Sequence, residues 1–240
     1  MSHSFSVQNL GVGYGKPLLQ DVSFSVSEFS GIIGLIGNNG KGKTTLLKTI
    51  SGLLEPLSGK VVLDERNLAD FSVMDRARVI SFGLSSGHVS FPVTAYELIS
   101  MGRYPYNNHW AKLTELDEQI ISNAIDICGI RELQSKFVTN LSDGERQKVF
   151  IAKTIAQQTP LILFDEPTAF LDYGSKKHFF QSIKTLAKEQ DKIILISSHD
   201  IEFLTEYADN LLMINDNGDA VFGTTKEIAW GDYFKSNFTK

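Results

Sequence analysis

The sequence predicts an α/β fold: a mostly parallel sheet, an antiparallel sheet ahead of it and an inserted block of helices. Three observations predict it. Short apolar runs of strand length recur at Ile32–Ile36, Leu161–Phe164 and Ile193–Ser197, which is how strands buried on both faces read. Apolar and polar residues alternate instead in the N-terminal stretch. Between Pro92 and Pro160 the pattern is mostly helical.

Taken in order, Phe5 and Val7, then Val22, Phe24 and Val26, alternate with polar neighbours and predict two half-buried strands. Gly11 to Lys16 between them is turn-like. Ile32–Ile36 runs into a glycine-rich loop, and Thr44 to Ile50 then reads as a helix stopped by Gly52. Lys60 to Asp64 and Ile80 to Phe82 predict two more strands. In the helical stretch Thr94/Glu97 and Ser142/Glu145 have capping-box spacing, with Thr114/Asp117 as a weaker version. Ile120, Ile121, Ala124, Ile125 and Cys128 give one apolar helix face. Ser175 to Gln190 predicts a helix between the later strands, and Leu211–Asn215, Asn217-Gly218 and Ala220–Phe222 a terminal hairpin. Residues 1–85 and 161–240 therefore form the expected core, and 86–160 a helical subdomain set into it.

Composition narrows the class. A chain of 240 residues with 42% hydrophobic content and a formal charge of -5 has enough apolar surface for a core, which argues against disorder. Acidic residues outnumber basic ones, 28 to 23, so a broad basic face for nucleic acid is not expected. The single cysteine, Cys128, excludes an internal disulfide framework and a Cys-rich zinc site. Fully apolar runs such as Leu161–Phe164 are far shorter than the roughly 20 residues of a membrane-spanning helix. Met1 to Asn9 lacks the basic and apolar regions of a secretory signal. The expected location is the cytoplasm.

Gly37-Asn38-Asn39-Gly40-Lys41-Gly42-Lys43-Thr44 matches the phosphate-loop pattern G-x-x-x-x-G-K-[ST] and sits between a predicted strand and a helix. Its glycines let backbone N–H groups converge on phosphate oxygens, and the helix turns its positive end to the same place. Lys43 can reach the β- and γ-phosphates, and the Thr44 hydroxyl, beside Thr45, can ligate Mg²⁺. Lys41 adds a further positive charge to the loop or is simply solvated. Leu161-Ile-Leu-Phe164-Asp165-Glu166 is an apolar strand ending in two carboxylates. Beside a phosphate loop, Asp165 suits the Mg²⁺ ion and Glu166 suits polarising an attacking water. Read alone, the pair is an acidic turn before Pro167.

Asn140-Leu141-Ser142-Asp143-Gly144-Glu145-Arg146-Gln147 opens a helix. With the phosphate loop before it, the acidic strand after it and His199 following a later strand, the whole chain resembles the nucleotide-binding subunits of ABC transporters. That resemblance implies a RecA-like phosphate-loop NTPase core with ATP and Mg²⁺ as ligands. It implies that Tyr14 stacks on adenine. Ser142 and Gly144 would contact the γ-phosphate held by the opposite subunit, a helix N-terminus meeting an anion. Ala169-Phe-Leu171-Asp172 resembles the loop that crosses the dimer interface, and His199 the switch histidine at the γ-phosphate. Two positions depart from the family pattern. Ser85 stands where a glutamine usually touches Mg²⁺ and couples to the membrane partner. Asp143 replaces the first signature glycine.

Met101-Gly-Arg-Tyr-Pro-Tyr106 after Thr94-Ala-Tyr-Glu97 is similar to the ATPases of iron-siderophore, haem and vitamin B12 importers. The resemblance implies a head-to-tail homodimer on the cytoplasmic membrane face. It also implies integral-membrane permease subunits and, indirectly, an extracytoplasmic substrate-binding protein. The alternatives are a soluble ABC ATPase of translation or DNA repair, an exporter ATPase and an iron–sulphur assembly ATPase. The insertion of about 70 residues carries no sustained heptads for a coiled-coil arm.

Overall fold

The computed structural model of the chain describes residues 3–84, 89–107, 112–229, 231 and 234. Its strands are β1 (His3–Tyr14), β2 (Lys16–Phe29), β3 (Gly31–Gly37), β4 (Ser58–Leu63), β5 (Arg66–Asn67), β6 (Ile80–Gly83), β7 (Leu161–Asp165), β8 (Ile193–Ser197), β9 (Asn210–Ile214) and β10 (Ala220–Thr224). Its α-helices are α1 (Lys43–Ile50), α2 (Val73–Val79), α3 (Ala95–Ser100), α4 (Glu115–Cys128), α5 (Asp143–Ala156), α6 (Tyr173–Glu189), α7 (Ile201–Tyr207) and α8 (Thr225–Ala229). One sheet is antiparallel in the order β2-β1-β4-β5. The other runs β10-β9-β3-β8-β7-β6 and is parallel except for the edge strand β10.

The turn expected over Gly11 to Lys16 is far shorter, because β1 continues to Tyr14 and β2 begins at Lys16. Glycines here serve a tight, bulged pairing rather than a loop. A Cβ on Gly13 would stand 2.0 Å from the Lys16 carbonyl oxygen, and only Gly15 takes a left-handed φ of +74° at the corner. Helices α2, α7 and α8 span two turns or less, too short for periodicity to reveal them. Ser72, which caps α2 by accepting from the Asp75 N–H at 3.1 Å, was the one local signal for it.

Alternation along the parallel strands splits the interior into two cores, since successive side chains leave opposite faces of a sheet. Ile33, Leu35, Leu161, Leu163 and Leu195 pack with α1 and the antiparallel sheet. Ile32, Ile36, Ile162, Phe164 and Ile196 pack with Phe180 of α6, Ile151 of α5 and Ile121 and Ile125 of α4. The helices between β6 and β7 thus share one apolar core with the sheet. Cys128 is a buried member of it, and burial pushes its thiol up to about 12.

Arg103 of the Met101–Tyr106 segment is buried. Its Nε donates to Asp117 at 2.8 Å, Nη1 donates to the Ala156 carbonyl at 2.9 Å, and the guanidinium lies 4.1 Å from the Tyr106 ring centre. Asp117 is also the capping-box partner of Thr114. One buried ion pair therefore fastens this segment to the start of α4 and the end of α5, leaving Tyr104 exposed. Losing either member would strand a buried charge. Among the described residues no helix is long and apolar enough to cross a membrane.

Lys192, 6% exposed, enters β8 at the end of the sheet opposite the phosphate loop, and its ammonium donates to the Thr159 carbonyl at 3.1 Å. Burial lowers its pKa to about 8. The charged form is thus penalised in the fold, fully so below pH 8. That penalty lifts as pH rises from 8 towards the unfolded value near 10.4. The difference in urea-unfolding free energy between wild type and Lys192→Met should therefore move in favour of wild type between pH 7 and pH 9.5. The expected change is on the order of 1–2 kcal/mol, and a flat difference would refute the assignment.

Candidate functional site

The phosphate loop joins β3, buried throughout, to α1. Gly40 and Gly42 hold φ of +77° and +91°, a region that costs other residues strain. Gly42 is also the N-cap of α1, so the helix has no side-chain cap. Its first N–H groups stay available to a ligand at the loop. Lys43 folds back inside the loop, donating to the Gly37 carbonyl at 2.7 Å and the Asn38 carbonyl at 3.3 Å. Burial lowers its pKa, and the nearby Glu166 and Asp165 carboxylates oppose that. Thr44 and Asn39 face solvent, whereas Thr45 is buried. Lys41 is not simply solvated. Its ammonium donates to the Asp216 carbonyl at 2.9 Å, and Asn38 Nδ2 donates to the Asp216 carboxylate at 2.9 Å. The β9–β10 turn therefore buttresses the loop.

Asp165 ends β7 nearly buried, and the Ser197 hydroxyl of β8 donates to its Oδ1 at 2.7 Å. Glu166 follows with φ +49°, a left-handed conformation that costs a non-glycine residue energy and persists where the surroundings impose it. Two bonds impose it here: the Glu166 N–H donates to the Ser197 carbonyl and to Ser197 Oγ, each at 3.1 Å. Ser197 thus sets both acidic residues, a role that its position at the end of an apolar strand did not signal. The His199 N–H donates to Glu166 Oε2 at 3.2 Å. His199 Nε2 lies 3.3 Å from Oε1 without the alignment of a hydrogen bond, so Oε1 is a buried acceptor with no donor. Burial raises the Glu166 pKa, and His199 and Lys43 pull it back. The structure thus gathers Lys43, Asp165, Glu166 and His199 into one site at the carboxyl ends of β3, β7 and β8.

Other expected residues lie outside that cluster. Tyr14 is 64% exposed at the end of β1. Ser142 is the N-cap of α5 in a full capping box with Glu145. Gly144 lies against the Phe170 carbonyl oxygen, which a Cβ would approach to 3.0 Å. Asp143 pairs with Arg146 at 3.2 Å in the same turn, which occupies its charge. Asp172 is the N-cap of α6, accepting from the Ser175 N–H at 2.8 Å. Ser85 lies outside the described residues. Among the described residues no group of three or more His, Cys, Asp and Glu could hold a metal. A divalent ion at Asp165 and Thr44 would therefore draw on phosphate oxygens as well.

The family model for ABC transporters matches residues 19–169. The chain is 32% identical over 237 residues to the iron(3+)-hydroxamate import ATP-binding protein FhuC of Bacillus subtilis, covering 98% of this chain and 88% of that protein. The chain belongs to the ABC transporter family. This ABC cassette is an ATPase, with the α/β phosphate-loop fold expected from its sequence. It is also 30% identical to the petrobactin import ATP-binding protein FpuD of Bacillus anthracis, over 95% of this chain and 84% of that one. Among solved structures, a metal-chelate type ABC transporter in an inward-facing conformation superposes with a TM-score of 0.83 at 28% identity. That match covers 99% of this cassette and 89% of the other chain.

Proposed function

We propose that this ABC cassette drives import of an iron complex, a siderophore or haem chelate, or of cobalamin. It would work as a head-to-tail homodimer on the cytoplasmic face of the membrane, beneath separate integral-membrane permease subunits. An extracytoplasmic binding protein would deliver the cargo. The observation that carries the hydrolytic part is the donor-free Glu166 Oε1 beside His199 and Lys43.

In this reading the loop 37–44 and the uncapped start of α1 grip the phosphates of ATP with backbone N–H groups. Lys43 leaves the Gly37 and Asn38 carbonyls for the phosphate oxygens. Glu166, kept basic by burial, takes a proton from the attacking water through Oε1. His199 holds the terminal phosphate oxygen, and exposed Tyr14 offers its ring face to adenine. Thr44 and Asp165 would hold Mg²⁺, whose charge offsets that of the phosphates. Ser142 and Gly144 complete the partner copy's site, where opposed helix ends add positive potential.

The class of cargo is supported by the relatives, which are named for hydroxamate and petrobactin import, and by the Met101–Tyr106 segment. Exposed Leu84, Phe91 and Tyr104 would offer the permease apolar contacts. The test is transport. Cells lacking this chain should lose uptake of radio-iron presented as a siderophore or haem complex, or of labelled cobalamin. The wild-type chain should restore it and Lys43→Ala should not. Undiminished uptake of all three without the chain would refute the proposal.

A further inference from the structure

Asp200 stands at the N-cap of α7, where an aspartate ordinarily accepts from the first N–H groups of its own helix. It makes no such bond. The Thr168 hydroxyl donates to Asp200 Oδ2 at 2.7 Å, and the Lys176 ammonium donates to Oδ1 at 2.7 Å. The Asp200 N–H donates to Ser198 Oγ at 3.0 Å, and that oxygen lies 3.4 Å from Thr168 Oγ1. Thr168 and Ser198 are 0% and 1% exposed. Lys176 and Asp200 keep only 21% and 25% of their side-chain surface in solvent, so their pair is less screened than a surface one.

These four residues join three segments: the loop after β7, the end of β8 and the first turn of α6. Glu166 and His199 lie on the first two. Asp200 thus has two sets of possible donors, its own helix and the Lys176–Thr168 pair, and the charge-assisted bond to Lys176 decides between them. A local preference overridden in this way is expected beside a working site.

We propose that Lys176 is a positioning residue for ATP hydrolysis: by holding the Asp200 carboxylate away from α7, it fixes the backbone that presents His199 to Glu166. The inference rests on the ATPase assignment. Without Lys176, Asp200 is free to cap α7, and residue 199 turns with it.

The test compares Lys176→Met and Lys176→Arg in the full chain. Lys176→Met should lower kcat about tenfold, equivalent to about 1.4 kcal/mol. The KM for ATP and the melting temperature should stay near wild type, and Lys176→Arg should recover most of the rate. Wild-type kcat in Lys176→Met overturns the proposal, as does a loss confined to KM or to melting. A second measurement is independent of turnover. The imidazole NMR signals of His199, assigned by their loss in His199→Gln, should shift or broaden in Lys176→Met and not in Lys176→Arg. Unchanged signals in Lys176→Met overturn the proposal even in a chain that turns over no ATP. Failure of the ATPase assignment looks different, because the wild-type chain itself would then release no phosphate from ATP.

Discussion

Lys43→Ala reduces ATP hydrolysis to background, a loss of about 100-fold to 1,000-fold or more, the scale seen when a donor to developing charge is removed. Lys43 is buried inside its own loop, bonded to carbonyls that phosphate oxygens can replace as partners. It is also a cation beside the adjacent carboxylates Asp165 and Glu166. Alanine would leave that acidic pair without its neutralising neighbour and push Glu166 further towards protonation. Binding and turnover should therefore fall together. Steady-state phosphate release and titration with a fluorescent ATP analogue would show it, and wild-type values for both would refute the phosphate-loop reading.

Glu166→Gln separates the two. Glutamine keeps the size of the side chain and an oxygen to accept from the His199 N–H, so the left-handed turn at 166 persists. What it lacks is a basic oxygen in the place of Oε1. ATP should bind with near wild-type affinity while hydrolysis slows by roughly 100-fold to 10,000-fold, the span of general base contributions. ATP would then accumulate in a closed dimer, visible as a doubled mass by light scattering. The pH dependence adds a check. Burial raises the Glu166 pKa, so wild-type kcat should fall as pH drops through a value above the usual 4.3. The variant should lack that acidic limb. A variant that hydrolyses at the wild-type rate as a monomer would exclude Glu166 as the base.

Much of this architecture was legible because local signals and long-range packing agree. Apolar runs such as Leu161–Phe164 can only be interior, and the capping boxes at Thr94, Thr114 and Ser142 form as their spacing predicts. The phosphate loop could be read because its glycines and lysine are contiguous. The parts that were not legible depend on distant residues. The turn-like glycines at 11 and 13 lie inside a strand because Ser58 and Lys16 approach them closely. Nothing beside Arg103 in the sequence marks it as buried, because its partner Asp117 lies 14 positions on. Ser197 and Asp200 act through residues 24 to 32 positions away in the chain. No window of sequence contains both ends of such a bond.

The buttress between the phosphate loop and the β9–β10 turn bears on how the molecule can be handled. A hairpin tip rich in Asn, Asp and Gly is where a dye or an affinity tag is usually attached, on the assumption that it is silent. Here Asp216 is bonded to Asn38 and Lys41, and Asn215 braces the turn through the N–H groups of Asn217 and Asp219. A label inserted at 216 would disturb the grip on nucleotide. An environment-sensitive dye on the side chain at 217, a residue that enters those contacts through its backbone N–H, would instead sit where it can sense the loop reshaping, and so act as an optical gauge of ATP occupancy.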